Sequence, residues 1–243
     1  MTEIMIEATD IVQVLGQGAG RVDALKSINM SLMGGELTLL MGPSGSGKTT
    51  LLSVLGCMLS PTGGSLRIRG RSTTGLGSEE LARVRRENVG FVFQSYHLFP
   101  TLTAAENIRL ALDVRGDRSP LTRAKVDKAL ATVSLSHKAK AFPRELSGGE
   151  QQRVAIARAI VGDPSIVLAD EPTAALDSEN GQAVMTVLAQ IAKDPDRALF
   201  IVTHDPRIMP FADRILRIED GRIVGDRRQD ERNAAVHTLK YAS

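Results

Sequence analysis

At 243 residues, with 42% hydrophobic residues and a formal charge of +2, the chain has the composition of an ordinary globular protein, and so small a charge gives no argument for a nucleic-acid partner. That length suits one large domain, or a domain with a subdomain, and is enough to bury a sizeable core. The single cysteine, Cys57, excludes an internal disulfide, and no stretch approaches the ~18 consecutive apolar residues that a membrane span requires.

The first residues, MTEIMIEATD, carry acids where a signal peptide carries Lys or Arg, so the protein is expected to stay in the cytoplasm. Alternating runs near Ile4 to Val14 and Leu25 to Leu32 read as strands joined by a glycine-rich turn, Gly16 to Gly20, and predict an antiparallel edge. From Glu36 the pattern becomes apolar strand, glycine loop, helix. A strand ending at Leu40 leads into GPSGSGKTT, comprising Gly42, Pro43, Ser44, Gly45, Ser46, Gly47, Lys48, Thr49 and Thr50. The spacing G-x-x-x-x-G-K-T lets glycines take unusual dihedrals, so that successive amides point inward around a polyphosphate. Lys48 adds positive charge toward the β and γ phosphates, and the Thr49 hydroxyl can coordinate Mg²⁺. The helix expected from Gly47 onward also holds Cys57, read as a small buried apolar residue.

A strand-like run precedes Gln94, and from Gln94 to Ile160 the strand pattern disappears. Thr103 and Glu106 form a capping box, and Ser119-Pro120 starts a helix through Leu130. In LSGGEQQRVAIARA, Ser147 and Glu150 form a second capping box, and the helix continues through Arg153 and Arg158. Its start exposes the amides of Gly148 and Gly149 at the positive helix end, a second candidate phosphate-binding element. An isolated S-G-G-E is more often a structural joint; the order of the surrounding motifs reverses that reading.

After this helical insertion the strands Ile166 to Ala169 and Ala198 to Val202 flank a helix from Asp177 to Lys193. Strands alternating with helices predict a largely parallel sheet with helices packed on it. Asp170 and Glu171 end the first of these strands, and His204 lies just past the second. Glu219, Asp220 and Gly221 separate two short runs and read as a tight hairpin whose acids serve the turn. The tail beyond Gly225 interleaves acids and bases and reads as a solvated end without assigned function.

This series, GPSGSGKTT, Gln94, LSGGE, IVLADE and His204, resembles the nucleotide-binding subunit of ATP-binding cassette (ABC) transporters up to about Gly225. The resemblance implies an α/β P-loop ATPase core with a mostly parallel sheet, the antiparallel β edge at its N-terminus and a helical subdomain at about 95–160. The domain is expected over 1–225 and the tail over 226–243. ATP and Mg²⁺ are the implied ligands, the metal held through Thr49, Gln94 and Asp170, with Glu171 polarising the attacking water, Gln94 reaching that water as well as the metal, and His204 contacting the γ phosphate. Ser147, Gly148, Gly149 and Glu150 are then expected to cover the ATP of a second copy, and Asp177 to lie in the loop that crosses the interface. The implied assembly is a head-to-tail homodimer on an integral membrane permease, with a periplasmic accessory protein, at the cytoplasmic face of a bacterial inner membrane.

Ala174, Ala175 and Glu145 depart mildly from the family's pattern, and one departure is larger. The family's aromatic platform for adenine falls at or near Leu15, and no Phe, Tyr or Trp occurs before Phe91. Stacking should therefore be lost and base selectivity relaxed. The GQGAGRV insertion and the run GFVFQSYHLFPTLTAAENI are most similar to the macrolide-exporter, lipoprotein-release and cell-division group, in which a permease element is expected to dock near Tyr96 to Pro100. A soluble ABC-type ATPase of DNA repair or translation, and an amino-acid importer ATPase, remain as alternatives.

Overall fold

The computed structural model describes residues 3–229. β1 (Ile4–Leu15) and β2 (Val22–Met33) pair antiparallel across the Gly16 turn, as their alternation predicts. They do not form the edge of the parallel sheet. β4 (Gly63–Ile68) and β5 (Arg71–Ser72) add to β1 to give a separate antiparallel sheet in the order β2-β1-β4-β5. The second sheet has six strands, in the order β10-β9-β3-β8-β7-β6. Its members are β3 (Leu37–Met41), β6 (Val89–Val92), β7 (Ile166–Asp170), β8 (Ala198–Thr203), β9 (Arg214–Glu219) and β10 (Arg222–Arg228), all parallel except β10.

The uniformly apolar strands of this sheet serve two cores at once, because successive side chains leave opposite faces. Leu39, Val167, Ala169, Leu199 and Ile201 face α3 (Ala104–Arg115), α4 (Thr122–Thr132), α5 (Gly148–Ile160) and α6 (Ser178–Ala192). Leu40, Ile166, Leu168, Phe200 and Val202 face α1 (Lys48–Leu55) and the antiparallel sheet. α3, α4 and α5 form the helical insertion between β6 and β7. Among the described residues no helix is long and apolar enough to cross a membrane.

Several boundaries differ from expectation. α1 stops at Leu55, so Cys57 lies in the turn after it, at φ 54°; it is buried, and burial pushes its thiol up to about 11. α4 starts at Thr122 rather than at Ser119-Pro120, whose Ser119 carbonyl instead accepts from the Thr122 N–H and hydroxyl. α2 (Ser78–Asn88), β4 and β5 fill a stretch in which no individual elements are expected. β10 continues to Arg228, so the first residues beyond Gly225 are sheet, with Asp226 paired to Arg214 at 2.7 Å. Residues 230–243 of the expected tail, and His237 among them, lie outside the described residues.

Parallel pairing brings the C-terminal ends of β3, β6, β7 and β8 to one edge of the sheet, the position where open α/β sheets hold ligands. The loops that carry Gly42 to Thr50, Gln94, Glu171 and His204 leave from that edge.

Candidate functional site

The loop after β3 turns directly into α1. Gly47 takes φ 100°, and a Cβ there would lie 2.5 Å from the Ala24 carbonyl oxygen, so only glycine lets the loop close against β2. Lys48 folds back, its Nζ donating to the carbonyls of Gly42 at 2.9 Å and Pro43 at 2.7 Å. The first amides of α1 have no partner within the helix and face outward as anion donors.

A cleft of about 880 Å³ opens over this loop, within the size range of small-molecule sites. Ser44, Gly45, Gly47, Lys48, Thr49, Thr50, Gln94, Asp170, Glu171 and His204 line it together. Gly42, Pro43 and Ser46 do not; they shape the loop from behind, with the Ser46 hydroxyl buried and unpartnered. Gln94 stands two residues beyond β6, Glu171 one beyond β7 and His204 one beyond β8.

Glu171 is the most constrained group in the cleft. Its backbone sits at φ 46°, a costly left-handed conformation for a side chain of this kind, and its amide donates to the Val202 carbonyl at 2.9 Å. The carboxylate is gripped from β8: Oε2 accepts from the Thr203 hydroxyl at 3.1 Å, and Oε1 from the His204 amide at 3.1 Å. Oε1 also lies 2.6 Å from His204 Nδ1, while the imidazole remains largely exposed. Burial, and then the neighbouring Glu171, hold the Asp170 carboxyl above its ordinary range, with Lys48 pulling the other way. The oxygen donors of Thr49, Gln94 and Asp170 in the cleft lining suit a hard cation such as Mg²⁺, which takes few protein ligands beside phosphate and water.

The remaining expected site residues lie elsewhere. Ser147, Gly148, Gly149, Glu150 and Asp177 do not line this cleft. Ser147 caps α5, accepting from the Glu150 amide at 3.2 Å while its own amide donates to Glu150 Oε2 at 2.8 Å. Those hydrogen bonds from Ser147, with help from Lys138, hold the Glu150 carboxyl below its usual range. Asp177 caps α6, accepting from the Asn180 amide at 2.9 Å. The two helix starts touch: a Cβ on Gly149 would lie 2.4 Å from Asn180 Oδ1, so the glycine is what lets them meet.

Some lining residues were not legible as site residues. Val22 is one of these; it is the cross-strand partner of Leu15, which holds the expected adenine position, and both are exposed apolar side chains that line the cleft. Among the described residues no Phe, Tyr or Trp lines it. Asp220 and Gly221, read as turn residues, also line it, because the hairpin turn bridges the phosphate loop and β2. The Gly221 amide donates to the Ser46 carbonyl at 3.0 Å and its carbonyl accepts from the Lys26 amide at 2.8 Å. Contacts over that sequence distance leave no local signal. His97 and His137 are exposed and do not line the cleft.

Comparison with known proteins agrees with this geometry. The family model described as ABC transporter matches residues 25–174. The macrolide export ATP-binding/permease protein MacB of Burkholderia pseudomallei (strain K96243) is 43% identical over 235 residues, which is 97% of this chain and 36% of that protein. MacB 1 of Aeromonas hydrophila subsp. hydrophila is 40% identical over 230 residues, 95% of this chain and 35% of that protein. The chain thus spans about a third of the length of the curated relatives it matches. Among solved structures, the dimeric ATP-binding cassette MJ0796, in a post-hydrolysis state bound to ADP and Pi, superposes with a TM-score of 0.83 at 38% identity. That match covers 92% of this chain and 98% of the other. CbiO1 of Clostridium perfringens, part of the ABC transporter complex cbiONQ, gives 0.83 at 26% identity, covering 98% and 92%. On the phosphate loop, the cleft, the family model and these likenesses, the chain belongs to the ABC transporter family, as an ATP-binding cassette.

Proposed function

We propose that this chain binds ATP with Mg²⁺ in the cleft and hydrolyses it as a head-to-tail pair of copies, driving an exporter-type membrane permease. One observation carries the reading: Lys48, Gln94, Asp170, Glu171 and His204 share one cleft, while the capped, glycine-bearing start of α5 stands outside it. A single copy therefore holds half of a phosphate site in each of two places. The residues through the end of β10 act as the ATPase domain, with the insertion at about 95–160 carrying the start of α5 to the partner.

Lys48 leaves its loop carbonyls for the β and γ phosphates, and the free amides of the loop and α1 take the rest of the charge. Thr49, Gln94 and Asp170 hold Mg²⁺, which when bound neutralises phosphate charge. Glu171, oriented by Thr203 and His204, accepts the proton of the attacking water. His204, whose Nδ1–H donates to Glu171, donates from Nε2–H to the γ phosphate when its ring carries both protons. Leu15 and Val22 meet the base by aliphatic contact.

The permease, with a periplasmic accessory protein, and a place at the cytoplasmic face of a bacterial inner membrane belong to the same proposal. In the relatives, ATP binding and permease are named in one protein, whereas a separate permease is expected here. Pull-down of the tagged cassette from detergent-solubilised membranes should return a membrane polypeptide; its absence would count against that arrangement.

The central test is Glu171→Gln. Nucleotide affinity should persist while hydrolysis slows by about 10² to 10⁴, the usual worth of a positioned base. Lys48→Ala should instead weaken ATP binding itself. Normal turnover by Glu171→Gln, measured as phosphate release, would remove Glu171 from its role.

A further inference from the structure

Gln152 is fully buried on α5, five residues past the Ser147 cap, and has no part in the chemistry assigned above. Its side-chain Nε2 donates to the Pro172 carbonyl at 2.9 Å and, at the outer limit of a hydrogen bond, to the Phe93 carbonyl at 3.5 Å. Pro172 follows Glu171, and Phe93 precedes Gln94. One amide thus reaches both turns that carry groups for the attacking water, although those turns leave different strands, β7 and β6. Its other atom gains nothing, for Oε1 is buried without a partner. An orphaned amide oxygen burdens a fold, so the contribution of this side chain lies in its donors.

The same helix grips the same segment again, less than two turns further on. Arg158 donates from its two terminal nitrogens to the carbonyls of His97 at 2.5 Å and Tyr96 at 2.7 Å, residues that both sit at positive φ. The stretch from Phe93 to His97 is therefore fastened to α5 at both ends, and the Glu171 turn is fastened to it through Gln152 alone among the side-chain hydrogen bonds of α5.

We propose that Gln152 is a positioning residue for hydrolysis, tying the Gln94 turn and the Glu171 turn to the helix that starts at Ser147 so that the three move as one unit. This rests on the ATPase reading above. In a head-to-tail pair the start of α5 faces the partner's nucleotide, so the amide links what one cleft binds to the geometry of the base in the other.

Gln152→Leu keeps the volume and removes both donors. It should lower kcat about tenfold, equivalent to losing one or two modest hydrogen bonds in the transition state, with the dissociation constant for ATP by titration calorimetry and the Tm unchanged. Gln152→Glu adds a readout that simple packing would not move. Its carboxylate cannot donate, whereas the protonated acid can donate to Pro172, so the ratio of its kcat to that of the wild type should rise as pH falls. Wild-type kcat in Gln152→Leu would overturn the proposal. So would a parallel fall of kcat, ATP affinity and Tm in both variants, or a flat pH ratio in Gln152→Glu. If the wild type itself releases no phosphate from ATP, the ATPase reading fails instead, and the two failures are distinct.

Discussion

Asp170 carries its charge against the preference of its surroundings, since burial and Glu171 together raise its carboxyl above the ordinary range. A carboxyl whose pKa is higher folded than unfolded contributes stability only while protonated, and that contribution is lost as pH rises through the two values. At neutral pH the ionised group therefore weakens the unliganded fold. Asp170→Asn should raise the Tm of the nucleotide-free protein, by about 2 °C or more for each kcal/mol relieved, and abolish Mg²⁺-dependent hydrolysis. Calorimetry showing an unchanged or lower Tm would mean that Lys48 already compensates the charge. Leu15 presents the opposite case, an exposed apolar side chain where stacking would help. Leu15→Tyr should tighten ATP binding by about 1 kcal/mol, near fivefold, and the wild type should bind ATP and GTP alike. A strong wild-type preference for ATP in competition titrations would place base recognition on other residues, such as Asp23 or Lys26.

At the scale of elements, the capping boxes of α3 and α5 were legible because cap and partner lie within four residues, and the structure bears out both. The hairpin of β9 and β10 was legible for the same reason; Asp220 and Gly221 take φ 51° and 75°, the left-handed pair such a two-residue turn demands. β4 was not, since its place is decided by pairing with β1 from more than fifty residues away. The closing contacts of the hairpin are also long-range. Arg214, nearly buried, is held by Asp226 at 2.7 Å and lies 3.7 Å from Glu36, while donating to the Ser31 carbonyl at 2.8 Å. Asp226→Ala should cost about 2 kcal/mol in urea unfolding, because it strips a charge-assisted pair from a buried guanidinium. The hydrogen bond from Arg214 holds the Asp226 carboxyl below its usual range. Its stabilisation is therefore present above the unfolded value and lost as pH falls through the folded one, and the gap between wild type and variant should close in acid.

For the whole molecule, the shared-site proposal follows from the separation of the cleft from the start of α5 and makes activity a property of two copies. ATPase activity per chain should fall on dilution, and ATP should shift the Glu171→Gln protein from monomer to dimer in sedimentation. Full activity at high dilution with only monomer present would sink the shared-site proposal. The wider lesson concerns range. Spacing within a few residues by itself determined the phosphate loop, the capped helices, the acids ending one strand and the histidine after another, because those features obey rules of backbone geometry that act locally. Only the tertiary structure decided that β1 and β2 belong to a sheet of their own, that Asp220 and Gly221 back the phosphate loop, and that Gln152 joins two turns. The physical reason is that burial chooses which strands become neighbours, and parallel pairing then carries residues far apart in the chain to one edge of one sheet.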